Sequence, residues 1–406
     1  MKKTGIFQNE KAMHALCIGA LCSVSYLAVY FSRNILGAVT PEMIEKGFLE
    51  EYIGKASSLY FIFYAIGQLV NGAIGDKIKA RYMISGGLLF AGITNLVFAR
   101  IVADHPTAAL VAYSMTGVFL AMIYGPMTKV VSENTDPLYT PRCSLGYTFA
   151  SLFGSPLAGL AASRFSWGLV FDIGCIALIV MACICFSGFF IMEKKKIVVY
   201  GRFDNVKKQG KGRIKDLFER EIVKFTIVSI LTGVIRTSVV FWMPTYFNQY
   251  LGFSTEQSAL IFTVATLVIS SAALLAVFLY EHMNRNLGRV MLTMFVASAV
   301  FFALLYVVKD PWVNIVLMTL AIVCSNSSAS LLWAVYCPSL YDTGMVSTAT
   351  GFLDFVSYMA AAASSSLFAS AATTIGWGNL ILIWGALMLF GVVVCLPYNK
   401  WIKKSK

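Results

Sequence analysis

Along this chain the residues turn apolar, again and again, for stretches of roughly 20 positions. Twelve such runs stand near 12–38, 55–75, 82–102, 107–130, 144–163, 168–192, 222–247, 256–280, 289–308, 312–336, 345–371 and 376–398. No other feature constrains the fold as much. A helix rises about 1.5 Å per residue, so about 20 residues cross a hydrocarbon core ~30 Å thick. Lipid gives backbone groups no partner, so a spanning segment is a helix or a strand of a closed barrel. The alternation of a barrel strand is absent. The chain therefore reads as an all-α membrane protein with twelve transmembrane helices. Composition agrees. Only 13% of residues are charged and 58% are hydrophobic, where soluble domains carry about 25% charged residues. The first run is too long for a signal-peptide core and lacks a small-x-small cleavage site, so it is expected to stay as a span.

Charge sets the expected orientation. With both termini on one side, that side collects Lys2, Lys3, Lys11, Lys77, Lys79, Arg81, Lys129 and Arg142. It also takes the cluster from Lys194 to Lys224, then Arg285, Arg289, Lys400, Lys403, Lys404 and Lys406. The other side holds Lys46, Lys55, Arg100, Arg164 and Lys309, a bias of 25 to five. Basic residues favour the cytoplasmic side, so a multi-pass protein of the cell membrane with both termini cytoplasmic is expected. The net charge of +12 then needs no nucleic acid partner; loops beside anionic lipid account for it. The nine cysteines fall in spans or at span ends, without metal-ligand spacing. His14, His105 and His282 are scattered. No catalytic constellation, metal site or cofactor is expected, and a monomer is the default state.

The polar stretch 193–221 is the one long interruption. It divides the chain into an N-terminal six-helix half (1–192), a cytoplasmic linker (193–221) and a C-terminal six-helix half (222–406). Equal halves point to an internal repeat. Arg33 precedes Pro41 by the same eight positions that separate Arg236 from Pro244. Each half then continues with a Gly-Phe pair and nearby acids: Gly47, Phe48, Glu50 and Glu51, against Gly252, Phe253 and Glu256. The expected architecture is two pseudo-symmetric six-helix bundles.

Arg33 and Arg236 stand inside spans. A charge there costs roughly 2.5–3.5 kcal/mol on insertion scales. One reading pairs each arginine with a carboxylate for structure. The other makes them an anion site, because a guanidinium fork matches phosphate or carboxylate oxygens in a bidentate way. Their surroundings are polar. Tyr26, Tyr30 and Arg33 share one helix face, Thr232 lies one turn before Arg236, and Tyr64 is followed one turn later by Gln68. Asp354 lies inside the eleventh run. It is a candidate for pairing with a cation or for taking up a proton.

The loop Gly72-AIG-Asp76-Lys77-I-Lys79-A-Arg81 resembles the signature loop of the major facilitator superfamily. Gly154-S-Pro156-LA-Gly159 looks like the glycine-proline element of the same superfamily. Within it the chain resembles the organophosphate:phosphate antiporters. The resemblance rests on Tyr30 to Asn34, Tyr64 to Gln68, Arg236 with Trp242-M-Pro244-T-Tyr246, Gly351-Phe352 and Gly376-Trp377. It implies two bundles that rock about a central site, with Arg33 and Arg236 on the phosphate. It also implies a gating role for Gly72, Asp76, Lys77 and Arg81, and a small anionic substrate. Glycerol-phosphate transporters tend to carry a lysine after the first arginine, a lysine in span 2 and a histidine in span 5. Asn34, Gln68 and Ser151 stand there instead. A proton- or sodium-coupled sugar-acid symporter and a non-transporting sugar-phosphate sensor remain as alternatives.

Overall fold

A computed structural model describes residues 10–75, 78–136, 139–200, 214–340 and 346–396. Twelve long helical segments follow one another, with no strand among the described residues. They are α1 (Glu10–Glu45), α2 (Glu50–Gly75), α3 (Ala80–Ile101), α4 (Pro106–Asn134), α5 (Thr140–Ala162) and α6 (Trp167–Lys194). Then come α7 (Ile222–Gln249), α8 (Thr255–His282), α9 (Leu287–Val307), α10 (Pro311–Tyr336), α11 (Val346–Thr374) and α12 (Gly376–Cys395). Eleven of them are long and apolar enough to cross a membrane. The twelfth is α5, whose described apolar stretch is Leu152–Ala162. The multi-pass α-helical fold read from the sequence is the fold observed.

Local chemistry explains where the helices start and stop. Asp310 accepts a hydrogen bond from the Val313 amide at 2.9 Å, and Pro311 opens α10, where a missing N–H costs nothing. Ser254 and Gln257 form a reciprocal capping box at the start of α8. Gly47 (φ 96°) follows α1 and Gly252 (φ 77°) follows α7. Both take the left-handed conformation that glycine adopts without strain. The two Gly-Phe pairs therefore mark the same kind of turn in each half. Pro41 and Pro244 lie inside α1 and α7. Each removes an amide that would bond to the carbonyl four residues back, at Gly37 and Val240.

The chain forms two compact units. The first joins Met1–Met43 to Leu59–Lys207, and the second joins Ile44–Ser58 to Lys208–Lys406. In the first, Phe98 packs at a tilt against Tyr113 and Phe171 where α3, α4 and α6 meet. In the second, Trp384 packs against Phe302, Phe368 and Tyr246. The Ile44–Ser58 segment is held in this unit by polar contacts. Gln249 Nε2 donates to Glu50 Oε1 at 2.6 Å, and Ser365 Oγ donates to Ser57 Oγ at 2.9 Å. Trp377 Nε1 donates to Gln249 Oε1 at 2.9 Å.

Of the signature loop, Gly72 ends within α2, while Asp76 and Lys77 lie outside the described residues, as does the linker segment 201–213. Arg81 opens α3 and pairs with Glu193 at the end of α6 at 3.0 Å, the arginine side chain buried and the glutamate 17% exposed. Tyr200 Oη donates to the other Glu193 oxygen at 2.9 Å. Arg81 also lies over Tyr82, Phe186 and Phe190. Burial and the bond to Glu193 push the Tyr200 phenol well above its ordinary range, so it stays a donor. Removing one partner of a buried pair leaves an uncompensated charge. Arg81→Ala is expected to cost on the order of 3 kcal/mol, read as a fall in thermal midpoint, whereas Tyr200→Phe costs about 1 kcal/mol.

Candidate functional site

In the first unit the site is built on α1. Arg33 Cζ lies 5.1 Å from the Tyr64 ring centre and 5.4 Å from those of Tyr30 and Phe61. Aromatic faces attract a cation by about 0.5–2 kcal/mol each and do not neutralise it. Gln68 Nε2 donates to Tyr64 Oη at 3.0 Å. Tyr26 meets Tyr30 edge-on at 4.9 Å, Tyr124 at 5.6 Å and Tyr147 at 6.1 Å. The expected face of Tyr26, Tyr30 and Arg33 is thus real, and Tyr64 and Gln68 from α2 join it. Asn34 turns elsewhere, its Nδ2 donating to the Tyr30 carbonyl at 2.6 Å.

In the second unit Arg236 sits on a π-helical turn, Val234–Val239. The contacts of α7 with α11 give the reason. Ser229 Oγ donates to the Leu353 carbonyl, and Gly233 sits against Ser357. Ser238 Oγ donates to the Ala361 carbonyl, and Trp242 Nε1 to that of Ser365. The α11 partners recur every four residues. The α7 positions step by four, five and four. One extra residue is absorbed between Gly233 and Ser238, and the wide turn does the absorbing. Arg236 lies in that inserted turn, off the α11 seam. Such π turns are frequent at functional sites.

Arg236 Cζ lies 6.0 Å from the Tyr358 ring centre. Among the described residues no carboxylate pairs with Arg236. Asp354 stands one helical turn before Tyr358 on α11 and is half-buried. Thr232 is buried, and its hydroxyl donates to the Val228 carbonyl at 2.8 Å, leaving lone pairs rather than a proton for a ligand. The Ser151 side chain lies outside those described. Three features escaped the sequence reading: Phe61, the Tyr124–Tyr147 pair and the π turn. The four-five-four spacing along α7 was the available signal for the last.

Cations held in the spans of a helical bundle mark a substrate or ion pathway, a voltage sensor or a counter-ion site. The family model described as Major Facilitator Superfamily matches residues 22–365. The chain belongs to that superfamily. It is 24% identical to a phosphoglycerate transporter protein of Salmonella typhimurium, over 94% of this chain and 88% of that protein. It is 24% identical to the membrane sensor protein UhpC of Escherichia coli, with 56% of each chain covered. A glycerol-3-phosphate transporter of Bacillus subtilis is 23% identical over 58% of each. Among solved structures, a D-xylose-proton symporter superposes with a TM-score of 0.74 at 13% identity. It covers 94% of this chain and 97% of its own length, a likeness of fold.

Proposed function

We propose that the protein is a secondary transporter that exchanges a small phosphate ester for inorganic phosphate in the cell membrane, with both termini in the cytoplasm. The observation that carries this reading is Arg236, a cation in a span with no carboxylate partner among the described residues. A desolvated guanidinium is costly until an anion meets it. Arg33 of one unit and Arg236 of the other each supply a fork to the phosphate oxygens. Tyr26, Tyr30, Tyr64 and Gln68 donate to the remaining oxygens. The names of the relatives, phosphoglycerate and glycerol-3-phosphate transporters, support a phosphorylated substrate.

Alternating access follows from the charge. Two like charges resist close approach in the empty protein, and a bound anion relieves the repulsion. Loaded halves therefore interconvert faster than empty ones, which makes transport an exchange. The test is uptake of labelled phosphate into proteoliposomes preloaded with phosphate, compared with empty ones, at equal pH on both sides. Uptake that requires internal phosphate is expected. No difference between loaded and empty vesicles, together with uptake by empty vesicles once a proton gradient is imposed in a second experiment, would replace exchange with a symport in which Asp354 takes up the proton. The sensor among the relatives favours one second reading, a receptor for sugar phosphate. That receptor would bind ligand and give no flux in either set of vesicles.

A further inference from the structure

A groove of about 410 Å³ lies in the first unit between α1 and α5, away from Arg33. Its walls are Ala12, Ala15, Leu16, Gly19 and Ala20 from α1, facing Gly146 from α5. Small side chains there leave room that larger ones would fill. The polar groups in the walls are already used. Ser23 Oγ donates to the Gly19 carbonyl at 2.7 Å, and Cys143 Sγ to the Ala15 carbonyl at 3.3 Å. What faces the groove is therefore methyl and methylene surface. At one end stands Arg142, exposed, with its guanidinium 5.5 Å from the Tyr139 ring centre. Leu16 and Val24 are each about half exposed along α1, at 49% and 52%, so the apolar surface continues outward from the groove.

The position along the helices matters. Arg142 lies in the first turn of α5, and Ala12 in the first turn of α1. Both helices begin at this level, so the cationic end of the groove is at a membrane boundary and the apolar length runs inward along the spans. A free phosphate ester would need several donors, and the walls offer methyls instead. An amphiphile fits both ends: hydrocarbon along Ala15, Gly19 and Ala20, and a negative head on Arg142. The basic residues concentrated in the segments on the N-terminal side favour an anionic head over a zwitterionic one.

We propose that this groove holds one anionic phospholipid, with an acyl chain along α1 and its phosphate on Arg142. The site is independent of the transport reading and of Arg33 and Arg236. The full-length protein in detergent, offered phosphatidylglycerol or phosphatidylcholine, is measured by native mass spectrometry. A retained adduct that favours phosphatidylglycerol by about fivefold is expected, the preference given by one basic residue at the membrane surface. Arg142→Ala should bring that ratio to about one while a lipid is still retained. Ala20→Trp fills the groove from an exposed position and should remove the adduct of either lipid. Unchanged thermal midpoints for both variants would establish that they are folded. A wild-type ratio in Arg142→Ala, or a wild-type adduct in Ala20→Trp, would overturn the proposal. So would displacement of the lipid by millimolar inorganic phosphate, which would make Arg142 a site for the free anion.

Discussion

Arg33→Lys and Arg236→Lys are each expected to lower the proposed phosphate exchange by about 100-fold, expressed as Vmax/KM in proteoliposomes. The size follows from geometry, since lysine keeps the charge. Arginine presents two parallel donors to a phosphate edge, and lysine presents a single hydrated ammonium. Losing one charge-assisted hydrogen bond costs roughly 1.5–3 kcal/mol, which is about 10-fold to 150-fold. Lysine at either position retains a cation near the same rings, Tyr30, Phe61 and Tyr64 or Tyr358. Folding should therefore survive, and a normal elution profile and thermal midpoint would check it. Glutamine removes the charge as well and should abolish exchange. The double lysine variant should fall short of the product of the two single losses if one phosphate is shared by both forks, as proposed. Exchange at the wild-type rate in either single variant would end the paired-arginine reading. The protein would still be a transporter of this superfamily, with its anion bound elsewhere.

Why these residues were legible in one dimension is a matter of lipid chemistry. A hydrocarbon solvent penalises any charge in a span, so Arg33 and Arg236 stand out without a structure. The same solvent forces long apolar helices, and all twelve runs coincide with observed helices. Ends were harder to place. Helix α1 covers Glu10–Glu45, beyond the expected 12–38, because polar end residues such as Glu42 and Glu45 continue the helix outside the apolar run. The faces were legible where helical spacing was regular, as for Tyr26, Tyr30 and Arg33. Regular spacing fails across a π turn, so the direction of Arg236 could not be read from a wheel. Asn34 and Thr232 share a different reason. Short polar side chains in a helix find a carbonyl one turn back, and sequence position cannot say whether they do. Tyr124 and Tyr147 come from α4 and α5, and only the tertiary contact with Tyr26 brings them to the site.

The packing that places Arg33 yields the second large effect. Gly154 of α5 sits against α1 at Tyr30. A Cβ added there would stand 2.4 Å from Tyr30 Cβ, 2.6 Å from the Tyr30 carbonyl carbon and 2.9 Å from the Phe31 amide nitrogen. Ordinary contacts between carbon atoms are ~3.5–4.0 Å. Two of the three atoms are backbone, so no rotamer change relieves the clash. Helix α1 must shift by about 1 Å, and Tyr30 and Arg33 shift with it. Overpacking of this kind costs about 1–3 kcal/mol, and more when backbone resists. Gly154→Ala should thus give folded protein with a lower thermal midpoint and clearly slower exchange. Gly154→Val should give little folded protein at all. Gly86 in α3 is the matching control, since an added Cβ there meets nothing within 4 Å. Gly86→Ala should leave exchange unchanged and raise stability slightly, because alanine favours a helix over glycine by about 0.8–1.0 kcal/mol in an exposed interior position. If Gly154→Ala matched the wild type in both midpoint and exchange, the close seam between α1 and α5 would not be what fixes Arg33. Slower exchange at an unchanged midpoint would mean that α1 yields without loss of stability, and that phosphate binding depends on its position to within an ångström.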